Sequence, residues 1–416
     1  MKRKNLCVKF SRENQSEANS AGHNMLVRGG YIHQTMQGAY TFSPIGFRVL
    51  DKIKNTIRKE MNALNGQEIL MPLTCPASLW KESGRYGNVD VLTTLKNKAG
   101  VEIALNPTHE ETVTDFVRSI MQSYKQFPFM VYQIQSKYRN ELRVKSGLLR
   151  TREFLMKDAY SFHTSQKDLE DYYEKCLKAY GSFFENIGLK TLAIESDNGD
   201  MGGDVSHEFM VLSEHGEDTI FVCEKCGLKA NKEIFENKPD DKCPKCGAAE
   251  TDGFKKLRGI EAGNIFQLGN KYTETMKCSY LNENGKKQAP IMGCYGIGLS
   301  RVMGCIAEIY ADEKGIAWPK KVAPFDVHLI VFKGTEIEEK NANDLYESLK
   351  KNGFDVLLDE RKKISMGEKL SEADLIGSPI RVIFSPKNTE QDKVEIQFRN
   401  GDETVFCSLS EVEKYI

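Results

Sequence analysis

No run of about 18 or more apolar residues occurs in this 416-residue sequence, so no membrane-crossing helix is expected. The stretch from Met1 to Glu17 is basic but has no apolar segment behind its charges, which argues against a secretory leader. Glu13 and Glu17 come early for a mitochondrial presequence. Net charge is nearly absent: 58 Lys and Arg stand against 59 Asp and Glu, so a nucleic-acid partner would need a local basic surface. Internal repeats and long low-complexity tracts are missing, which excludes a repeat array. The paired histidines of zinc proteases are missing too, because Val113 and Val211 stand where a second histidine would follow His109-Glu110 and His207-Glu208.

Cysteine is the one unusual abundance. Of 11 cysteines, four form a metal-like cluster and the others are scattered without pairing logic, so the chain is read as reduced and cytoplasmic. Hydrophobic residues at 40% and charged residues at 28% are ordinary for a soluble globular protein, and the length fits about two to three domains.

Residues 44–64 read as a helix from Pro44, with Phe47, Leu50, Ile53, Ile57 and Met61 at helical spacing and Gly66 beyond the end. Residues 68–72 read as a strand stopped by Pro72. A helix is expected over 109–122, a long strand over 129–141 and an amphipathic helix over 167–187. After the proline-bracketed linker Trp318 to Pro324, strands at 327–332, 355–359 and 380–384 alternate with helices at 342–351 and 368–376. That order predicts a small α/β domain of parallel βαβ units behind a larger α+β part.

Strand periodicity puts Gln133, Gln135, Lys137, Arg139 and Glu141 on one face of the 129–141 strand. Alone, that would be the solvated face of an antiparallel sheet. Its neighbours change the reading. Arg139 suits bidentate phosphate binding, and Phe154 can stack on a purine. Arg143, Lys145, Arg150 and Arg152 make the connecting loop cationic. In Gly293 to Arg301 the glycines allow a strand to approach a ligand, and Arg301 opens the next helix, where phosphates bind well. At Asn106 to Glu111, a hydroxyl and a carboxylate one residue apart, Thr108 and Glu110, can grip an ammonium; otherwise they are a plain helix N-terminus.

In order, these segments resemble the signature motifs of class II aminoacyl-tRNA synthetases. Gly66 to Pro72 resembles motif 1, Tyr138 to Phe154 motif 2, and Gly296 to Arg301 motif 3. Thr108-His109-Glu110, Phe154 to Phe162, Ser206 to Phe209 and Gly259 to Gly269 look like bacterial-type prolyl-tRNA synthetase, and the likeness runs from about Gly29 to the C-terminus. The resemblance implies an antiparallel class II catalytic domain with helices and a C-terminal α/β anticodon-binding domain. It implies a proline–tRNA ligase using ATP and Mg²⁺, acting on L-proline and tRNA(Pro) as a cytoplasmic homodimer. Arg139 would bridge the ATP α-phosphate and the proline carboxylate, Glu141 and Phe154 would hold adenine, and Arg301 the γ-phosphate. Glu261 would contact ATP. Thr108 and Glu110 would hold the imino nitrogen, with Phe266 lining the proline pocket; His207 is either a further pocket residue or a satisfied structural histidine. The alternative is a catalytically inert, synthetase-like tRNA-binding protein; intact Arg139, Glu141, Phe154 and Arg301 speak against it.

Two departures stand out. Asp359-Glu360-Arg361 replaces the family's usual Asp-Asp-Arg. Between motifs 2 and 3, Ala230 to Arg258 is far too short for the editing domain that many relatives carry, so no hydrolysis of alanyl-tRNA(Pro) is expected. The segment 223–258 holds Cys223-x2-Cys226 and Cys243-x2-Cys246, the two pairs separated by sixteen residues, the spacing of a structural zinc site in which four thiolates leave no open position. The expected domains are therefore 1–222 and 259–319 for catalysis, 223–258 for a zinc-ribbon-like insertion and 325–416 for anticodon binding.

Overall fold

The computed structural model describes residues 1–11, 13, 20–236, 242–248, 253–401 and 403–416. Parts of the expected insertion, at 237–241 and 249–252, lie outside the described residues, as does Glu17. The chain divides into two compact units, one of residues 37–39 and 54–305, the other of 1–36, 40–53 and 306–416.

The first unit is built on a nine-stranded sheet. Its strands are β1 (Gln67–Glu68), β2 (Phe129–Tyr138), β3 (Glu153–His163), β4 (Thr191–Glu195), β5 (Val205–Leu212), β6 (Asp218–Cys223), β7 (Lys229–Asn231), β8 (Phe254–Gly269) and β9 (Ile291–Gly298). The spatial order is β5-β4-β7-β6-β8-β9-β3-β2-β1, with β5 also pairing with β8. Pairing is antiparallel except β1 on β2 and β7 on β4. Along the long β8, Gly263 faces Phe209 of β5 but Glu261 faces Met210, so Ala262 is an unpaired β-bulge.

One face of the sheet is covered by the helix Gln166–Asn186. Ser165 caps it by accepting a hydrogen bond from the Asp168 N–H. Its buried stripe of Leu169, Tyr173, Cys176, Tyr180 and Phe184 follows the helical period. Strand alternation then sorts β3: Lys157 turns to this helix, where its ammonium donates to the Tyr180 hydroxyl at 2.5 Å, while Met156, Asp158 and Tyr160 line a cavity on the other side.

The strand expected at 68–72 is shorter, Gln67–Glu68. The ladder lapses because side chains replace it: the Met71 N–H donates to Gln133 Oε1 at 3.0 Å, and its carbonyl accepts from Gln135 Nε2 at 2.9 Å. Gln133 and Lys137 are therefore buried rather than solvated, and β2 ends at Tyr138, leaving Glu141 beyond it.

The second unit contains a five-stranded sheet of β10 (Val327–Val331), β11 (Val356–Asp359), β12 (Ile380–Phe384), β13 (Val394–Phe398) and β14 (Thr404–Cys407), in the order β11-β10-β12-β13-β14. The first three are parallel, as the alternation predicts; β13 and β14 are antiparallel additions. The link between β13 and β14 is too short for a crossover and can only form a hairpin. The helix Glu336–Lys351 is closed at its start by a Thr335–Glu338 capping box and packs Ala342, Tyr346 and Leu349 on this sheet. Asp359 is buried and ion-paired with Arg361 at 2.7 Å, while Glu360 takes Lys2 at 2.9 Å and Lys4 at 2.8 Å.

Candidate active site

Opposite the helix Gln166–Asn186, the large sheet walls a cavity of about 280 Å³. Thr108, Glu110, Arg139, Phe154, Glu261, Phe266 and Arg301 all line it. The β2–β3 hairpin supplies Arg139 and Phe154, with the guanidinium 5.2 Å from the ring centroid and its Nε donating to the Pro107 carbonyl at 3.3 Å. Burial, then the nearby charge of Arg301, depresses the Arg139 pKa below the usual arginine range. Two arginines lining one partly dry cavity make a receptor for an anion.

Arg301 comes from the first turn of the helix Leu299–Tyr310, which β9 feeds directly. Its Nη1 donates to the Glu261 backbone carbonyl at 2.8 Å and to the Glu261 carboxylate at 3.3 Å. A Cβ built on Gly263 would stand 3.1 Å from the Gly296 carbonyl, so glycine keeps β8 and β9 close behind the cavity.

At the other wall, Thr108 Oγ1 donates to Glu110 Oε2 at 2.6 Å. These residues flank His109, the N-cap position of the helix Glu110–Ile120. Glu110 and Glu111 are both buried, and Arg85 answers them from 3.6 Å and 3.1 Å. Burial raises the Glu111 pKa against the pull of Arg85. Arg85 also lies over the rings of Trp80 and Tyr272. Thus a neutralised floor sits beneath one carboxylate that faces the cavity.

Glu141 lies in an adjoining cavity that shares Arg139, Glu261 and Arg301 with the main one. Its carboxylate accepts from Arg150 at 2.8 Å, and Arg150 also pairs with Glu217 at 3.1 Å. Beyond Glu261, Glu208 and Asp218 crowd together. Burial and the neighbouring carboxylates, Glu261 foremost, push Glu208 up to about 9 and Asp218 up to about 6.

His207 does not join these residues, and its placement in the proline pocket is corrected. Its Nδ1 meets the Tyr173 hydroxyl at 2.8 Å, on the face covered by the long helix. Sequence reasoning missed Arg85, Asp158 and Tyr160, which line the main cavity. Alternation through Met156, Asp158 and Tyr160 was the available signal for the last two; Arg85 carries no local signal.

The four cysteine sulfurs lie within 4.8 Å of one another, with Cys223–Cys246 at 3.7 Å and Cys226–Cys243 at 3.6 Å. Tetrahedral zinc with bonds of ~2.3 Å would place sulfurs about 3.8 Å apart. Both turns share one geometry: the Gly227 N–H donates to the Cys223 backbone carbonyl and the Gly247 N–H to the Cys243 backbone carbonyl, each at 2.8 Å, with glycine φ of 73° and 70°. The donor set fits a structural metal.

Residues 94–310 match the model of the class II tRNA synthetase core domain (G, H, P, S and T), and residues 326–416 match the anticodon binding domain. A proline–tRNA ligase of Anaplasma phagocytophilum is 41% identical over 411 residues, covering 95% of both chains. The chain belongs to the prolyl-tRNA synthetases. Against the Bacillus pumilus synthetase it is 34% identical over 553 aligned positions, covering 97% of this chain and 98% of the relative. That alignment is far longer than 416 residues, so this synthetase lacks the insertion domain of the longer form. The prolyl-tRNA synthetase of Cryptosporidium parvum complexed with halofuginone and AMPPNP superposes with a TM-score of 0.78 at 20% identity, covering 95% of this chain and 75% of that one. At that identity the likeness speaks for the fold.

Proposed function

We propose that the cavity activates L-proline with ATP and then transfers the prolyl group to the 3′ end of tRNA(Pro). The observation that carries the reading is the pairing, in one cavity, of the Arg139–Arg301 cation pair with the Thr108–Glu110 grip. Glu110 and the Thr108 hydroxyl hold the secondary ammonium of proline. Arg139 holds its carboxylate beside the α-phosphate, Phe154 stacks on adenine with Glu141 at its edge, and Arg301 neutralises the terminal phosphate.

A proline carboxylate oxygen attacks the α-phosphorus, and the bond to the bridging oxygen of pyrophosphate breaks, giving prolyl-adenylate and pyrophosphate. The terminal tRNA hydroxyl then attacks the acyl carbon, and AMP leaves. No protein nucleophile is needed; positioning and charge neutralisation carry the rate. Glu261 and Asp218 would supply carboxylate oxygens of the kind Mg²⁺ prefers; burial, then the neighbouring Glu261 charge, holds the Asp218 carboxyl above its usual range. Magnesium, when bound, adds charge neutralisation at the phosphates. Cys223, Cys226, Cys243 and Cys246 would hold a structural Zn²⁺.

The β10–β14 unit serves as the anticodon reader, and the chain works in the cytoplasm as a homodimer through the segment bearing exposed Leu70 and Leu73. ATP–pyrophosphate exchange with each amino acid in turn tests the reading: proline alone should support it strongly. No proline-dependent exchange, with tRNA binding intact, would favour an inert binding protein.

A further inference from the structure

Beneath the Thr108–Glu110 grip lies a closed ring of buried contacts centred on the residue between them. Lys137 and His109 have no measurable solvent exposure, and Asp158 is 4% exposed. The Lys137 ammonium pairs with Asp158 Oδ1 at 2.8 Å and donates to His109 Nδ1 at 2.7 Å. That leaves the imidazole proton on Nε2, which donates to the Pro72 carbonyl at 3.0 Å. The ring closes through the backbone: the His109 N–H donates to the Tyr160 hydroxyl at 3.1 Å, which donates to Asp158 Oδ2 at 2.8 Å. His109 is thus held at both ring and backbone by one ion pair.

We propose that Lys137 and Asp158, acting through His109, are the positioning element of the Thr108–Glu110 grip, and so set the affinity for proline without setting that for ATP. This rests on the assignment of that grip to the amino acid. A buried ion pair contributes little net stability, because desolvation offsets its attraction. Its distinguishing property is directional: an ammonium with two fixed acceptors locks one imidazole tautomer and one ring orientation. Burial and the Lys137 charge push the His109 pKa down to about 4, so the ring stays neutral at working pH and keeps accepting from Lys137. Since Thr108 and Glu110 flank His109 in sequence, a turn of its backbone would move both polar groups relative to the substrate nitrogen. Arg301 and Glu261 contact each other across the cavity and lie outside the ring.

The test is proline-dependent ATP–pyrophosphate exchange on the full-length protein, with KM measured separately for proline and ATP. Wild-type exchange is established first; its absence would sink the functional reading itself. Lys137→Met should raise KM for proline by roughly 10-fold or more and change KM for ATP by less than about 2-fold. His109→Ala should do the same, while His109→Asn, whose Oδ1 replaces Nδ1 as acceptor for Lys137, should recover to within about 3-fold of wild type. If Lys137→Met does not fold, the two His109 variants decide. Unchanged proline KM in a folded variant, parallel rises in both KM values, or equal defects in His109→Ala and His109→Asn would overturn the proposal.

Discussion

The Arg139 guanidinium lies 5.2 Å from the ring centroid of Phe154 and reaches the Pro107 carbonyl, and among the described residues no carboxylate forms an ion pair with it. A carbonyl and a ring fix its place, so its charge stays available to a ligand anion.

Arg139→Ala should therefore lower proline-dependent exchange by about 100-fold or more. The fold should be little affected, because the side chain lines a cavity and its one hydrogen bond, to the Pro107 carbonyl, is long at 3.3 Å; melting should move by less than about 2 °C. Near-normal exchange would refute the assignment.

The cysteine turns make a second prediction. Elemental analysis should find about one zinc per chain, and Cys226→Ser or Cys246→Ser should lose it and lower the melting temperature by several degrees, on the order of 5 °C. A metal-free protein with unchanged melting would reject the site.

Proofreading offers a third. With no insertion domain between motifs 2 and 3, the purified chain should leave alanyl-tRNA(Pro) intact beyond its spontaneous hydrolysis. Robust deacylation would show an editing centre elsewhere in the chain.

A fourth concerns pH. An unfolded glutamate loses its proton near pH ~4.3, whereas Glu208 in the folded chain keeps it up to about 9. Between those values unfolding releases a proton, so stability falls as pH rises through the window and levels off above it. Asp218 adds the same trend up to about pH 6. Glu208→Gln, measured without added magnesium, should raise melting at pH 8.5 by on the order of 2–5 °C and change it little at pH 5. An equal shift at both values would count against this cause.

Periodic elements were legible because their signal is local. The helix Gln166–Asn186 and the strand Ile380–Phe384 fall within a residue or so of their expected ranges, since buried stripes recur at fixed spacing. The expected strand at 68–72 was too long because nothing local reveals that Gln133 and Gln135 take over the hydrogen bonds of Met71. Alternation showed that Gln133, Lys137 and Arg139 share a face but not what would cover it. Arg139 meets a cavity, whereas Lys137 meets Asp158 from the next strand.

The same limit explains the two clearest errors at the site. His207 sits on a strand whose alternation was readable, yet only the packed helix shows which face is buried behind the sheet. Arg85 is invisible to any short pattern, because its partner Glu111 lies 26 residues away and is brought to it only by folding.

The unpaired Ala262 has a consequence for how this chain tolerates change. Glu261 and Phe266 are an odd number of residues apart, so in a regular strand they would look in opposite directions, yet both border the same cavity. The extra residue works as a phase shifter: it inverts the odd–even code of β8 between its Phe266 half and the half that pairs with β6. Losing that one residue would leave every side chain chemically unchanged, yet it would turn either the nucleotide contact or the substrate wall away from the cavity. The reading frame of the site is thus set by a small, chemically silent alanine.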